Sequence, residues 1–209
     1  MTSLILWNNL FTAGLLLFSL ILVSKPRLPA LIRHFSLASF CLAGLAVTES
    51  LQNGDQHGIY AAAGTILFKV ILIPLILSFT ARRSRASMQL KFYLKPAATY
   101  FVTAFMLVIA TLVEYEMSSI PFVSIALIML GLTLMIMRKD LYSQIIGFLT
   151  MENGIAAFGI IAVGGIPLLI EMGIFLTVTA GSIVMATLSQ EVQEQYATGD
   201  TGRLTELTE

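Results

Sequence analysis

The stretch Thr65-Ile66-Leu67-Phe68-Lys69-Val70-Ile71-Leu72-Ile73-Pro74-Leu75-Ile76 places one lysine among apolar residues, within a longer run from Ile59 to Phe79. A run of that length matches the roughly 20 helical residues that cross a bilayer core about 30 Å thick. Similar runs fill the chain on both sides. They define seven expected spans: Leu4–Val23, Leu31–Leu51, Ile59–Phe79, Ala97–Val113, Ile120–Met137, Tyr142–Val163 and Leu168–Leu188. The fold class is therefore all-α, a polytopic transmembrane helical bundle of about seven spans over 1–189. A polar tail, 190–209, follows it and is rich in Thr, Gly and acidic residues.

Composition agrees. Of 209 residues, 57% are hydrophobic and 11% charged, against roughly 25% charged in a soluble domain. The 12 basic and 12 acidic residues cancel, so net charge gives no reason to expect a nucleic-acid partner. Their placement is more informative. Every basic residue except Lys69 falls in the first connection (Lys25, Arg27, Arg33), the third (Arg82 to Lys95), the fifth (Arg138, Lys139) or the tail (Arg203). That alternation is the positive-inside pattern. It favours an odd number of spans, with the N-terminus outside and the C-terminus cytoplasmic. The first run has no basic segment before it and is followed by Ser24-Lys25-Pro26-Arg27, so it reads as a retained span rather than a signal peptide.

A charge at the bilayer centre costs about 2.5–3.5 kcal/mol on insertion scales and marks ion or proton pathways. Lys69 lies too deep to reach either interface easily. Pro74, five residues on, removes a helical N–H and is expected to kink the helix, freeing a carbonyl near Lys69. Glu152, in Gly147-Phe148-Leu149-Thr150-Met151-Glu152-Asn153-Gly154, sits at the middle of the sixth span. Counting from either surface puts it at nearly the depth of Lys69. Two opposite charges at one depth lower each other's insertion cost, and Asn153 can hydrogen-bond to either. Two readings stay open: a proton-transferring pair, or a static ion pair that fixes packing.

Two more acids lie toward the outer side, Glu49 at the end of the second span and Glu171 about a turn into the seventh. His34, beside Arg33, titrates near neutral pH when unperturbed but also suits an interfacial anchor. Asp140 reads as a helix-start residue. The glycines and alanines of the last two spans suit close helix packing. A single cysteine, Cys41, excludes an internal disulfide and a cysteine-ligated cluster. Met129, Met135 and Met137 have no histidine or cysteine beside them, so no metal and no cofactor is expected.

Three segments carry a family resemblance. They are Phe68-Lys69-Val70-Ile71-Leu72-Ile73-Pro74-Leu75-Ile76 with Thr80-Ala81-Arg82; Gln144-Ile145-Ile146-Gly147-Phe148 with Met151-Glu152-Asn153-Gly154; and Glu171-Met172-Gly173-Ile174. Together they resemble hydrogenase-4 component E, a small membrane subunit of group 4 membrane-bound hydrogenase complexes. The C-terminal half is also similar to the K-type subunit of the complex I membrane arm and the C-type subunit of multisubunit antiporters. Those relatives set a glutamate in Gly-x-x-x-Met-x-Asn, matched here by Gly147, Met151 and Asn153. The complex I position falls near Leu149, one helical turn from Glu152.

The resemblance implies a non-catalytic subunit of an oxidoreductase complex in a prokaryotic inner membrane, embedded in the lipid bilayer. Its expected partners are antiporter-like membrane subunits and cytoplasmic redox subunits, the latter through the basic loop 82–95. The implied proton (or sodium) pathway runs through Lys69, Glu152, Glu171 and Glu49, supported by Asn153, Pro74 and His34. A structural scaffold whose buried pair serves assembly only is the alternative.

Overall fold

In the computed structural model, residues 2–54, 56–83 and 96–162, with positions 181 and 183, are described. They form helices, with no strand among them. α1 (Thr2–Ser24) turns through a short loop into α2 (Leu28–Asn53). α3 (His57–Thr65) runs on through a π-helical segment (Ile66–Leu72) into α4 (Ile73–Arg83), making one rod. α5 (Pro96–Glu116), α6 (Phe122–Met137) and α7 (Leu141–Ala162) follow. Five helices are long and apolar enough to cross a membrane: Ser3–Ser24, Leu28–Asn53, Gly58–Arg82, Ala98–Glu116 and Leu141–Ala162. Phe122–Met137 is a shorter apolar helix of 16 residues. The expected seventh span, apart from positions 181 and 183, lies outside the described residues, as do Glu171, the tail 190–209 and most of the basic stretch 82–95.

The helix ends follow local chemistry. α2 starts at Leu28 because Pro29 is tolerated in a first turn, where no intrahelical N–H bond is lost. It stops at Gly54, whose φ of 69° is left-handed and whose N–H returns to the Ser50 carbonyl. Before α6, Pro121 is extended, and Glu114 at the end of α5 accepts the Phe122 N–H at 3.2 Å. α1, α2 and α5 run further at both ends than the apolar runs alone, since polar residues continue the helices, whereas α6 starts two residues inside its run, at Phe122.

Two helices form the centre. α2 and α7 bury 61% and 56% of their most apolar stretch, whereas α1 and α5 bury 11% and 17%. α1 and α5 turn Leu6, Leu10, Leu17, Phe101, Phe105 and Leu112 outward. So large an apolar exterior suits lipid or neighbouring membrane helices, not water. The chain is a membrane protein.

One apolar cluster gathers Leu22, Leu28, Leu31, Phe35, Ile73, Leu77, Leu134, Ile145 and Leu149 near the α1–α2 and α6–α7 connections. A second gathers Leu15, Leu42, Leu45, Leu127 and Ala157. Along α2, Ser39 lies between Ala38 and Cys41 of the second cluster, one turn past Phe35 of the first, and along α7 Asn153 falls between the two clusters.

α6 and α7 touch through backbone. A Cβ on Gly131 would lie 2.5 Å from the Gly147 carbonyl oxygen and 2.6 Å from the Met151 nitrogen. One on Gly154 would meet the Ser124 carbonyl at 2.7 Å. Backbone cannot step aside as a side chain can, so these glycines set the spacing that places Glu152 and Asn153. Gly131→Ala should therefore destabilise the detergent-solubilised protein by about 1–3 kcal/mol, read as a lowered thermal midpoint. A midpoint equal to that of the parent would show that the helices separate freely.

Candidate functional site

Lys69 emerges from the centre of the π-helical segment and is 0% exposed. A π-helix is uncommon and tends to appear at functional positions. Pro74 explains part of it. The ring cannot donate to the preceding turn and crowds a carbonyl there, and the Ile73 N–H just before it bonds to Phe68, five residues back, rather than four. What the structure shows before Pro74 is this widened turn, which carries Lys69 on it.

The ammonium of Lys69 forms an ion pair with Glu152 Oε2 of α7. It also donates to Asn153 Oδ1 at 3.0 Å. Asn153 in turn donates through Nδ2 to Ser39 Oγ of α2 at 3.1 Å. Ser39 and Asn153 are 0% exposed and Glu152 is 6% exposed. Four polar side chains from three rods thus meet near mid-helix, with apolar layers on both sides. In so dry a setting either charge alone is strongly disfavoured, and each requires the other. A site of this kind can hold a proton on the lysine or on the carboxylate. It offers no cluster of metal-ligating side chains among the described residues.

The other sequence candidates lie elsewhere. Glu49 is half-buried near the far end of α2 and accepts from Asn8 Nδ2 of α1 at 2.5 Å. That links it to α1. His34, 8% exposed, places Nδ1 2.6 Å from the Ala30 carbonyl oxygen and its ring 6.4 Å from that of Phe18. Neither of these contacts is part of the Lys69 network. Glu171 lies outside the described residues.

Two residues differ from their reading in the sequence. Ser39 gave no signal, since a serine in an apolar helix is common. Arg138, counted as a loop charge, is 0% exposed. Its Nη2 donates to the carbonyls of Val23 at 3.0 Å and Lys25 at 2.7 Å, closing the C-terminal end of α1. A cation at that end also suits the helix dipole. Burial lowers the Arg138 guanidinium to about 10, against the opposing charge of Asp140.

Asp140 begins α7 as expected. Its Oδ1 accepts the Ser143 N–H at 2.7 Å, an N-cap. Burial pushes this carboxyl up, opposed by the Ser143 hydrogen bonds and the Arg138 charge. A carboxyl that binds its proton more tightly folded than unfolded contributes less stability as pH rises through its folded value. Asp140→Asn should hence leave stability at pH 7 unchanged or higher, because the amide still caps. Asp140→Ala should cost about 1 kcal/mol. Thermal denaturation of the two variants separates cap from charge, and equal losses would mean that the charge itself is needed.

No family model matches this chain, and no solved structure matches it. Among curated proteins it is similar to hydrogenase-4 component E of Escherichia coli K12, at 26% identity over 216 residues covering 99% of each chain. The same figures hold for hydrogenase-4 component E of Shigella flexneri. It is also 25% identical over 203 residues to uncharacterized protein Rv0085 of Mycobacterium tuberculosis, covering 93% of this chain and 92% of the relative. With similarity running from end to end rather than over one motif, the chain is a homologue of hydrogenase-4 component E.

Proposed function

We propose that this chain is a non-catalytic membrane subunit of a group 4 hydrogenase or complex I-like energy-converting complex. In this reading it crosses the inner membrane seven times, N-terminus outside, and contributes a proton (or sodium) path. Full-length similarity to hydrogenase-4 component E supports the assignment to a hydrogenase complex. The buried Lys69–Glu152 pair, held by Asn153, carries the assignment to a proton path.

The pair works by the cost of being half-neutralised. When a proton reaches Glu152, Lys69 is left as an uncompensated cation in the apolar interior. A lone charge there costs about 2.5–3.5 kcal/mol, which corresponds to roughly a hundredfold bias toward release of the lysine proton. Proton arrival on one side thereby drives departure on the other. Glu49, bonded to Asn8, and Glu171 would extend the route toward the outer side, and His34 would stand toward the cytoplasm. Electron transfer takes place in peripheral subunits, which would dock on the basic cytoplasmic end, 82–95 included.

The decisive variants are Lys69→Ala and Glu152→Gln in the assembled complex, reconstituted in vesicles. Pumping should fall at least tenfold while electron transfer to an artificial acceptor persists. Unaltered pumping in both would sink the reading. Because both members of the pair belong to one chain, a scaffold role is the competing reading, and the exchanged pair, Lys69→Glu with Glu152→Lys, separates the two. A scaffold would regain assembly and full pumping; a proton path would regain assembly without pumping, since the donor and acceptor stand reversed.

A further inference from the structure

Ser39 determines which end of a neighbouring amide faces the lysine. A carboxamide is two-ended: its oxygen only accepts and its nitrogen only donates. Ser39 Oγ takes the donating end of Asn153 at 3.1 Å, which leaves Oδ1 directed at the Lys69 ammonium, 3.0 Å away. All three side chains are 0% exposed. The reverse orientation would set an –NH2 against an –NH3⁺, two donors facing each other.

We propose that Ser39 is a positioning residue for proton transfer at Lys69: by holding the Asn153 amide with its oxygen toward the ammonium, it sets the pH at which the lysine releases its proton. The proposal rests on the proton-path reading above. A protonated lysine donates to Asn153 as it stands. The amide oxygen carries partial negative charge, so this orientation favours the ammonium over the neutral amine, whereas the turned amide would present its –NH2 and disfavour the charge. Turning it over breaks the Ser39 bond, so Ser39 delays deprotonation. Remove the hydroxyl and the amide turns freely, which weakens the hold on the lysine's proton.

Among the described residues, Glu152 of α7 is a charged group that faces Lys69. The titratable and charged residues of α2 are Arg33, His34, Cys41 and Glu49, about 9, 7, 3 and 15 Å from Ser39 along the helix axis. His34 and Glu49 are engaged with Ala30 and Asn8.

The test is the pH profile of pumping by the complete complex in vesicles, for Ser39→Ala, Ser39→Thr and Ser39→Cys. With Ser39→Ala the alkaline limb should move about one pH unit lower, a tenfold change in the proton affinity that it reports. Electron transfer to an artificial acceptor should stay level. Thr restores a hydroxyl and should restore the limb. Cys, a weak acceptor of similar size, should shift it part of the way, and it serves alone if the alanine variant does not accumulate. Limbs that superimpose on the parent's, or a loss equal at every pH, overturn the proposal. Lys69→Ala and Glu152→Gln run alongside. If they pump normally, the Ser39 proposal falls together with the functional reading; if they fail while Ser39 variants keep the parental limb, it falls alone.

Discussion

A lysine ammonium buried at mid-helix is the constraint on which the rest of this structure depends. Lipid and apolar side chains cannot solvate it, so the protein must bring it a carboxylate and a hydrogen-bond acceptor. Glu152 and Asn153 do so from α7, and Ser39 closes the arrangement from α2. Three rods must therefore meet at one depth and in one rotational register. α2 and α7 are accordingly the most buried of the long helices, while α1 and α5 spread around them.

Much of the packing serves that register. The glycines at 131, 147 and 154 let α6 and α7 approach until backbone meets backbone, which leaves α7 little freedom to slide. At the α1–α2 and α6–α7 connections, Arg138 ties the end of α1 to the turn that launches α7, and Asp140 caps α7 itself. The rod that carries Lys69 is widened into a π-helical segment just before Pro74. Rigid partners on one side and an irregular segment on the other suit the proposed site, whose lysine would change its bonding while its carboxylate stays in place.

How much of this was legible in the sequence depended on whether a residue contradicted its neighbours. Lys69 and Glu152 stood out because a charge within an apolar run has no ordinary explanation, and counting from the helix ends put them at one depth. Asn153 was legible through its adjacency to Glu152, and Asp140 through its place before a helix. Ser39 contradicted nothing, since its hydroxyl gains meaning only from an amide on another helix. Arg138 conformed to the loop-charge pattern, which records where a cation sits along the chain but not where its guanidinium points. Pro74 announced a disturbance without its form, because proline chemistry permits a kink or a widened turn. Gly131 was not legible for a similar reason: its meaning comes from Gly147 and Met151 on another helix, α7.

The central claim is that Glu152 changes its protonation state as the complex turns over. Infrared difference spectroscopy on the reconstituted complex, recorded between resting and turning-over states, measures this directly. The account predicts a protonated carboxyl band that appears during turnover and is absent from Glu152→Gln. A Glu152 that stays ionised throughout turnover, with pumping intact, would contradict it.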